Sequence, residues 1–169
     1  MKAARVILAI VLSLALQTTL DRFVIRGAVA VDLVLVVVLF VALTSGPVTG
    51  LLSGTAAGLV QDALSSGVIG IGGLAKTLVG FLAGIIGTQF IVARPLPRFV
   101  VFFAASVLHG AVFIGLHVLL GLRQFGSPYG AVASQAAGNA VVGVVAFQMV
   151  ELLPGVVERR RAQRARIRR

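Results

Sequence analysis

An all-α integral membrane protein of six transmembrane helices, with both termini cytoplasmic, is the fold class this sequence predicts. Three observations carry it. Of 169 residues, 59% are apolar and only 12% charged, against about 45–50% and 25% in soluble domains, so too little polar surface remains to cover a core. Six apolar runs, most of them close to the roughly 20 residues that cross a ~30 Å hydrocarbon core, follow one another with short connections. The cations fall mainly on one side of those runs, as orientation in a membrane requires.

The first run, Ala4 to Leu20, follows Lys2 and Arg5 and has the outline of a secretory signal. No A-x-A-like site follows Leu16, where Gln17, Thr18 and Thr19 lead to Asp21, so a retained first helix is expected. The second run, Ala28 to Leu43, is nearly all Val and Leu, with Asp32 in its first turn, where the helix dipole favours a carboxylate. Its Val content would also suit a strand, but a spanning strand needs a closed barrel with an alternating polar face, and these residues are apolar on both faces. The third run starts at Pro47, a good first-turn residue, and ends near Leu64. The fourth covers Gly70 to Val92, the fifth Phe99 to Leu120 and the sixth Tyr129 to Leu153. All five prolines fall at boundaries, where a missing N–H costs least. Residues 1–155 therefore form one transmembrane domain, and 156–169 a basic cytoplasmic tail.

The net charge of +10 does not mark a nucleic-acid-binding fold, because seven of the fifteen basic residues lie between Arg159 and Arg169. With the amino terminus inside, eleven cations are cytoplasmic, against Arg22, Arg26 and Arg123 outside, and Lys76 lies within a span. The tail, RRRAQRARIRR, would gain roughly 1 kcal/mol per cation beside anionic lipid.

Gly46, Gly50, Gly54 and Gly58, followed by Asp62, recur at a spacing of four. Small residues let helix backbones approach in a membrane, so this ladder is read as a packing face. Gly73, Gly80 and Gly84 of the fourth run, with Thr77 and Gly87, are its expected partner. Packing within one chain and self-association into a homodimer are both open uses of this face. Asp62 and Lys76 would each cost about 2.5–3.5 kcal/mol at mid-membrane. They are expected to meet across the hairpin near Gly67 to Gly70, with contact to a partner or ligand and proton or ion coupling as alternatives. His109 and His117 are eight apart, too far along a helix to share a metal without further ligands, and are read as packing groups. Ser134, Gln135, Gly138, Asn139 and Gln148 form a polar face suited to hydrogen bonds between helices. There are no cysteines, and neither a Ser–His–carboxylate set nor a carboxylate pair within one span is found. Catalysis is therefore not expected, and no cofactor or metal is implied.

The stretch from Val31 to Gly87 resembles the MreD family of bacterial rod-shape-determining membrane proteins. The resemblance lies in Asp32–Leu33 opening the second helix, Gly46–Pro47 before the third, G-x-x-x-G-L-x-x-D-x-L-S from Gly54 to Ser65, and A-K-T-L-V-G from Ala75 to Gly80. The family pattern has Pro before the Asp of the second helix, where Val31 stands here. Length and the six-helix layout agree over the whole chain. The resemblance implies a noncatalytic scaffold of the cell-elongation machinery in the bacterial cytoplasmic membrane. It would bind MreC and link the actin-like MreB to peptidoglycan synthesis by the RodA glycosyltransferase and a class B penicillin-binding protein. The family is similar in fold to the substrate-binding subunits of energy-coupling-factor vitamin transporters, which supplies the alternative function. That alternative calls for aromatic and polar groups in the outer loops, and this chain has no Trp and one Tyr.

Overall fold

The computed structural model describes residues 2–23, 31–65, 68–89, 94–122 and 128–167, with side chains described from 3 to 19 in the first of these ranges and up to 152 in the last. The expected ends at Ala28 and Val92, the loop cations Arg26 and Arg123 and the side chains of the tail lie outside the described residues.

Six helices follow in order: α1 (Lys2–Phe23), α2 (Leu33–Ser45), α3 (Pro47–Leu64), α4 (Ile71–Gln89), α5 (Pro95–Leu119) and α6 (Tyr129–Ile167). No strand occurs among the described residues. Asp32 is not in the first turn of α2 but caps it, its side chain accepting from the Leu35 N–H, which satisfies a donor that the helix itself leaves open. Gly46 joins α2 to α3 with φ of 90°, a conformation that residues with a Cβ adopt at a cost. Pro47 follows at the first position of α3. Helix α5 begins four residues earlier than expected, because Pro95 and Pro97 both fit a first turn, whose N–H groups have no intrahelical acceptor. Pro154 is no boundary: α6 continues through it to Ile167 in one helix of 39 residues.

Helix α2 has the other five helices packed around it. Val34, Leu35, Val38, Leu39 and Ala42 are fully buried, which explains why its sequence is apolar on every face. One part of the core is built from Leu35, Leu39, Val79, Phe102 and Phe147, and another from Leu14, Val34, Val38 and Ala57. The outer surface is apolar: Leu8, Leu12, Val48, Leu52, Leu74 and Val100 are each more than half exposed, an arrangement suited to a hydrocarbon solvent. Among the described residues, Ile71–Gln89, Pro95–Leu119 and Tyr129–Leu152 have the length and apolar composition to cross a membrane, while the apolar stretches Ala3–Thr19 and Leu33–Ser45 are shorter.

The most extensive helix pairing is between α3 and α4, which run antiparallel. A Cβ on Gly58 would lie 2.6 Å from the Gly73 Cα, one on Gly54 2.7 Å from the Lys76 carbonyl carbon, and one on Gly84 2.6 Å from the Pro47 nitrogen. Gly50 and Gly80 face each other so closely that a Cβ on either would strike the other's backbone. Thr55 and Thr77 hydroxyls lie 2.8 Å apart in the same interface. Gly50, Gly54, Gly58, Gly73, Gly80 and Gly84 are thus buried within one chain, whereas Gly46, expected in the same face, is half-buried in the α2–α3 turn, where a Cβ would meet only Thr88 at 3.7 Å. A homodimer through this face, one of its expected uses, would have to displace α4 or α3.

Candidate functional site

Where α2, α4 and α6 begin and α3 and α5 end, polar side chains converge in an otherwise apolar molecule. The Lys76 Nζ lies 2.7 Å from Asp32 Oδ2 and 3.3 Å from His109 Nε2. All three residues are buried, Lys76 to 3% exposure, Asp32 to 5% and His109 to 6%. An ammonium can only donate, so His109 accepts at Nε2 and carries its proton on Nδ1. Asn139 Oδ1 accepts from the Asp32 backbone N–H at 2.8 Å, and its Nδ2 donates to Ser106 Oγ at 3.1 Å. Gln17 Oε1 accepts from the Leu33 N–H at 2.9 Å. One network thereby ties α1, α2, α4, α5 and α6 together around the start of α2.

The expected pairing of Asp62 with Lys76 is not the one formed. Asp62 Oδ2 accepts from the Gly70 and Gly73 N–H groups at 2.9 and 3.0 Å, so its charge is engaged by the N-terminal turn of α4. Lys76, about one and a half turns into α4, faces α2 and α5 instead. Asp32, the N-cap of α2, is the actual counter-ion, and only the packing of α2 beside α4 brings it there. The polar face of α6 is split: Asn139 is fully buried in the network, while Ser134 is exposed, its hydroxyl donating to the Ala131 carbonyl.

A cavity of about 370 Å³ opens beside this cluster, with Asp32, Gln61, Asp62, Lys76, His109 and Gln135 as its principal polar lining. His117 also lines it, donating from Nδ1 to the Phe113 carbonyl at 2.9 Å. Two buried atoms of lining residues, Gln61 Oε1 and His109 Nδ1, have no hydrogen-bond partner within the protein. An unsatisfied buried polar atom costs about 1–3 kcal/mol. Among the described residues, no group of three His, Cys, Asp or Glu side chains is placed to hold a metal ion.

At the opposite end of the bundle, Arg98 at the start of α5 donates to Glu151 of α6, from Nη1 to Oε2 at 3.0 Å and from Nη2 to Oε1. Its guanidinium also stacks over Phe147, 4.5 Å from the ring centroid. In the sequence Arg98 is one of the eleven cations assigned to the cytoplasmic side, and Glu151 is the acidic residue of the sixth apolar run. The available signal was that the chain has just five acidic residues, so one within an apolar run calls for a partner.

The apolar exterior, the spanning helices and ion pairs engaged in holding helices together define a helical membrane protein. The family model for rod shape-determining protein MreD matches residues 2–155 of the chain. The protein belongs to the MreD family, whose role is in rod-shape determination and which is generally noncatalytic. No curated protein and no solved structure matches the chain.

Proposed function

We propose that this protein is a noncatalytic scaffold of the cell-elongation machinery, binding MreC and linking the MreB cytoskeleton to peptidoglycan synthesis by RodA and a class B penicillin-binding protein. The family match across residues 2–155 is the observation that carries the reading. The described chemistry supports it, since the buried ions are engaged in interhelical pairs and caps. The protein resides in the bacterial cytoplasmic membrane with six crossings and both termini inside. The basic segment 156–169 is on the cytoplasmic side, where its cations are drawn to anionic headgroups.

The test is gentle detergent extraction of the tagged protein from its native cells, with identification of co-purifying proteins by mass spectrometry. Recovery of MreC with wall-synthesis enzymes is the expected result. Recovery of a transporter ATPase pair and its coupling subunit, without MreC, would replace the scaffold by a vitamin-uptake component.

A further inference from the structure

The chemistry of the 370 Å³ cavity points beyond scaffolding. Its volume lies in the range of small-molecule sites, which are commonly lined by apolar walls with a few convergent polar groups. Here Phe113, Ile114 and Val132 are among the apolar lining, and Gln61 and His109 among the polar lining. These two residues carry the unpartnered acceptor Gln61 Oε1 and the unpartnered donor His109 Nδ1. Lys76, the lining cation, is already paired with Asp32, and the Asp62 carboxylate is engaged by two backbone N–H groups. The Lys76 ammonium and both lining carboxylates thus already have partners, whereas Gln61 Oε1 and His109 Nδ1 do not.

We propose that this cavity is a binding site for a small amphipathic molecule with an uncharged head, an amide or an alcohol, that accepts from His109 and donates to Gln61. The apolar part of the molecule packs against Phe113, Ile114 and Val132. Both atoms are shielded as the structure stands, so the Gln61 and His109 side chains turn toward the cavity to engage the head. The binding does not depend on MreC and is separable from the scaffold role.

The chain has no cysteine, so Ser65→Cys places a single thiol on the cavity lining, at an exposed position. Thr88→Cys, exposed at the far end of α4, is the control. In the full-length protein in nanodiscs, labelling by a water-soluble maleimide is followed against added benzamide, which has an aromatic body and a head with both a donor and an acceptor. Saturable protection of Ser65→Cys at about millimolar concentration or below is expected, with Thr88→Cys unaffected. Adding Gln61→Leu should weaken benzamide about tenfold, the scale of one lost hydrogen bond, and His109→Phe should do the same. Gln61 is only part-buried, so its variant keeps the test open if His109→Phe does not fold. Benzoate and benzylamine, matched in size but charged, should protect less well. Absence of protection by benzamide, equal protection in Gln61→Leu, or stronger protection by either charged probe would overturn the proposal. Because MreC capture is scored separately, failure here and failure of the scaffold reading are distinguishable.

Discussion

Lys76 illustrates what a buried charge demands of its neighbours. Its ammonium is 2.7 Å from Asp32 and 3.3 Å from His109, and no water can replace either contact at 3% exposure. Removing one member of such a pair leaves the other uncompensated, which costs about 3–5 kcal/mol, whereas replacing both with apolar groups can be nearly neutral. Lys76→Met and Asp32→Ala are therefore each expected to lower thermal stability sharply in detergent, with the double variant no worse than the poorer single one. The same cycle run with Asp62→Ala and Lys76→Ala should be additive, because Asp62 serves the start of α4 and does not pair with Lys76. Strong coupling between Asp62 and Lys76 would contradict the geometry. At the other end, Arg98 is 4% exposed and both pairs with Glu151 and stacks on Phe147, while the Glu151 side chain is 56% exposed. Arg98→Ala should consequently lower the melting temperature more than Glu151→Ala, since it also removes packing. Equal losses would mean that the ion pair alone matters.

For the helices, the decisive quantity is how closely two backbones approach. The α3–α4 interface is in contact at backbone level at Gly50–Gly80 and Gly58–Gly73, so a side chain at those points must push the helices apart. Gly54→Leu or Gly58→Leu should reduce the yield of folded monodisperse protein on size-exclusion chromatography. Gly115 of α5 has nothing within 4 Å of a built Cβ. Gly115→Ala should therefore be neutral or stabilise by up to about 1 kcal/mol, from helix propensity alone. If Gly58→Leu behaves like Gly115→Ala, close packing of α3 on α4 is not required. The glycine ladder was legible in the sequence because a spacing of four keeps small residues near one helix face, drifting only about 40° per step. Which of its two uses it serves was not, since spacing is the same for an internal neighbour and for a second chain. The buried α2 was likewise recognisable as apolar, but its 13 residues cover only about 20 Å of helix rise, a length that the composition had extended back to Ala28.

In the whole molecule, orientation and partner binding rest on surfaces more than on the core. Under the proposed topology the end of α3 is outside and the end of α4 is inside. A membrane-impermeant maleimide applied to intact cells should thus label Ser65→Cys and spare Thr88→Cys until the cells are opened. The reverse pattern would invert the topology and place the cavity mouth toward the cytoplasm. The exposed apolar belt carries Leu8 and Leu12 of α1, Leu74 of α4 and Val100 of α5, so lipid or a partner helix must cover it in the membrane.

The sequence by itself determined the helical class, the run of α3 from Pro47 to Leu64 and the family resemblance. Each of these is written in local signals: apolar run length, proline position or a short motif. The tertiary structure decided that Lys76 pairs with Asp32, 44 positions away, that Asn139 closes the network from α6, and that Arg98 meets Glu151. It also decided that a cavity lies beside two orphaned polar atoms. Hydropathy places a residue along the membrane normal but not around it, and in a bundle the rotation of each helix, set by packing, chooses which polar side chains meet.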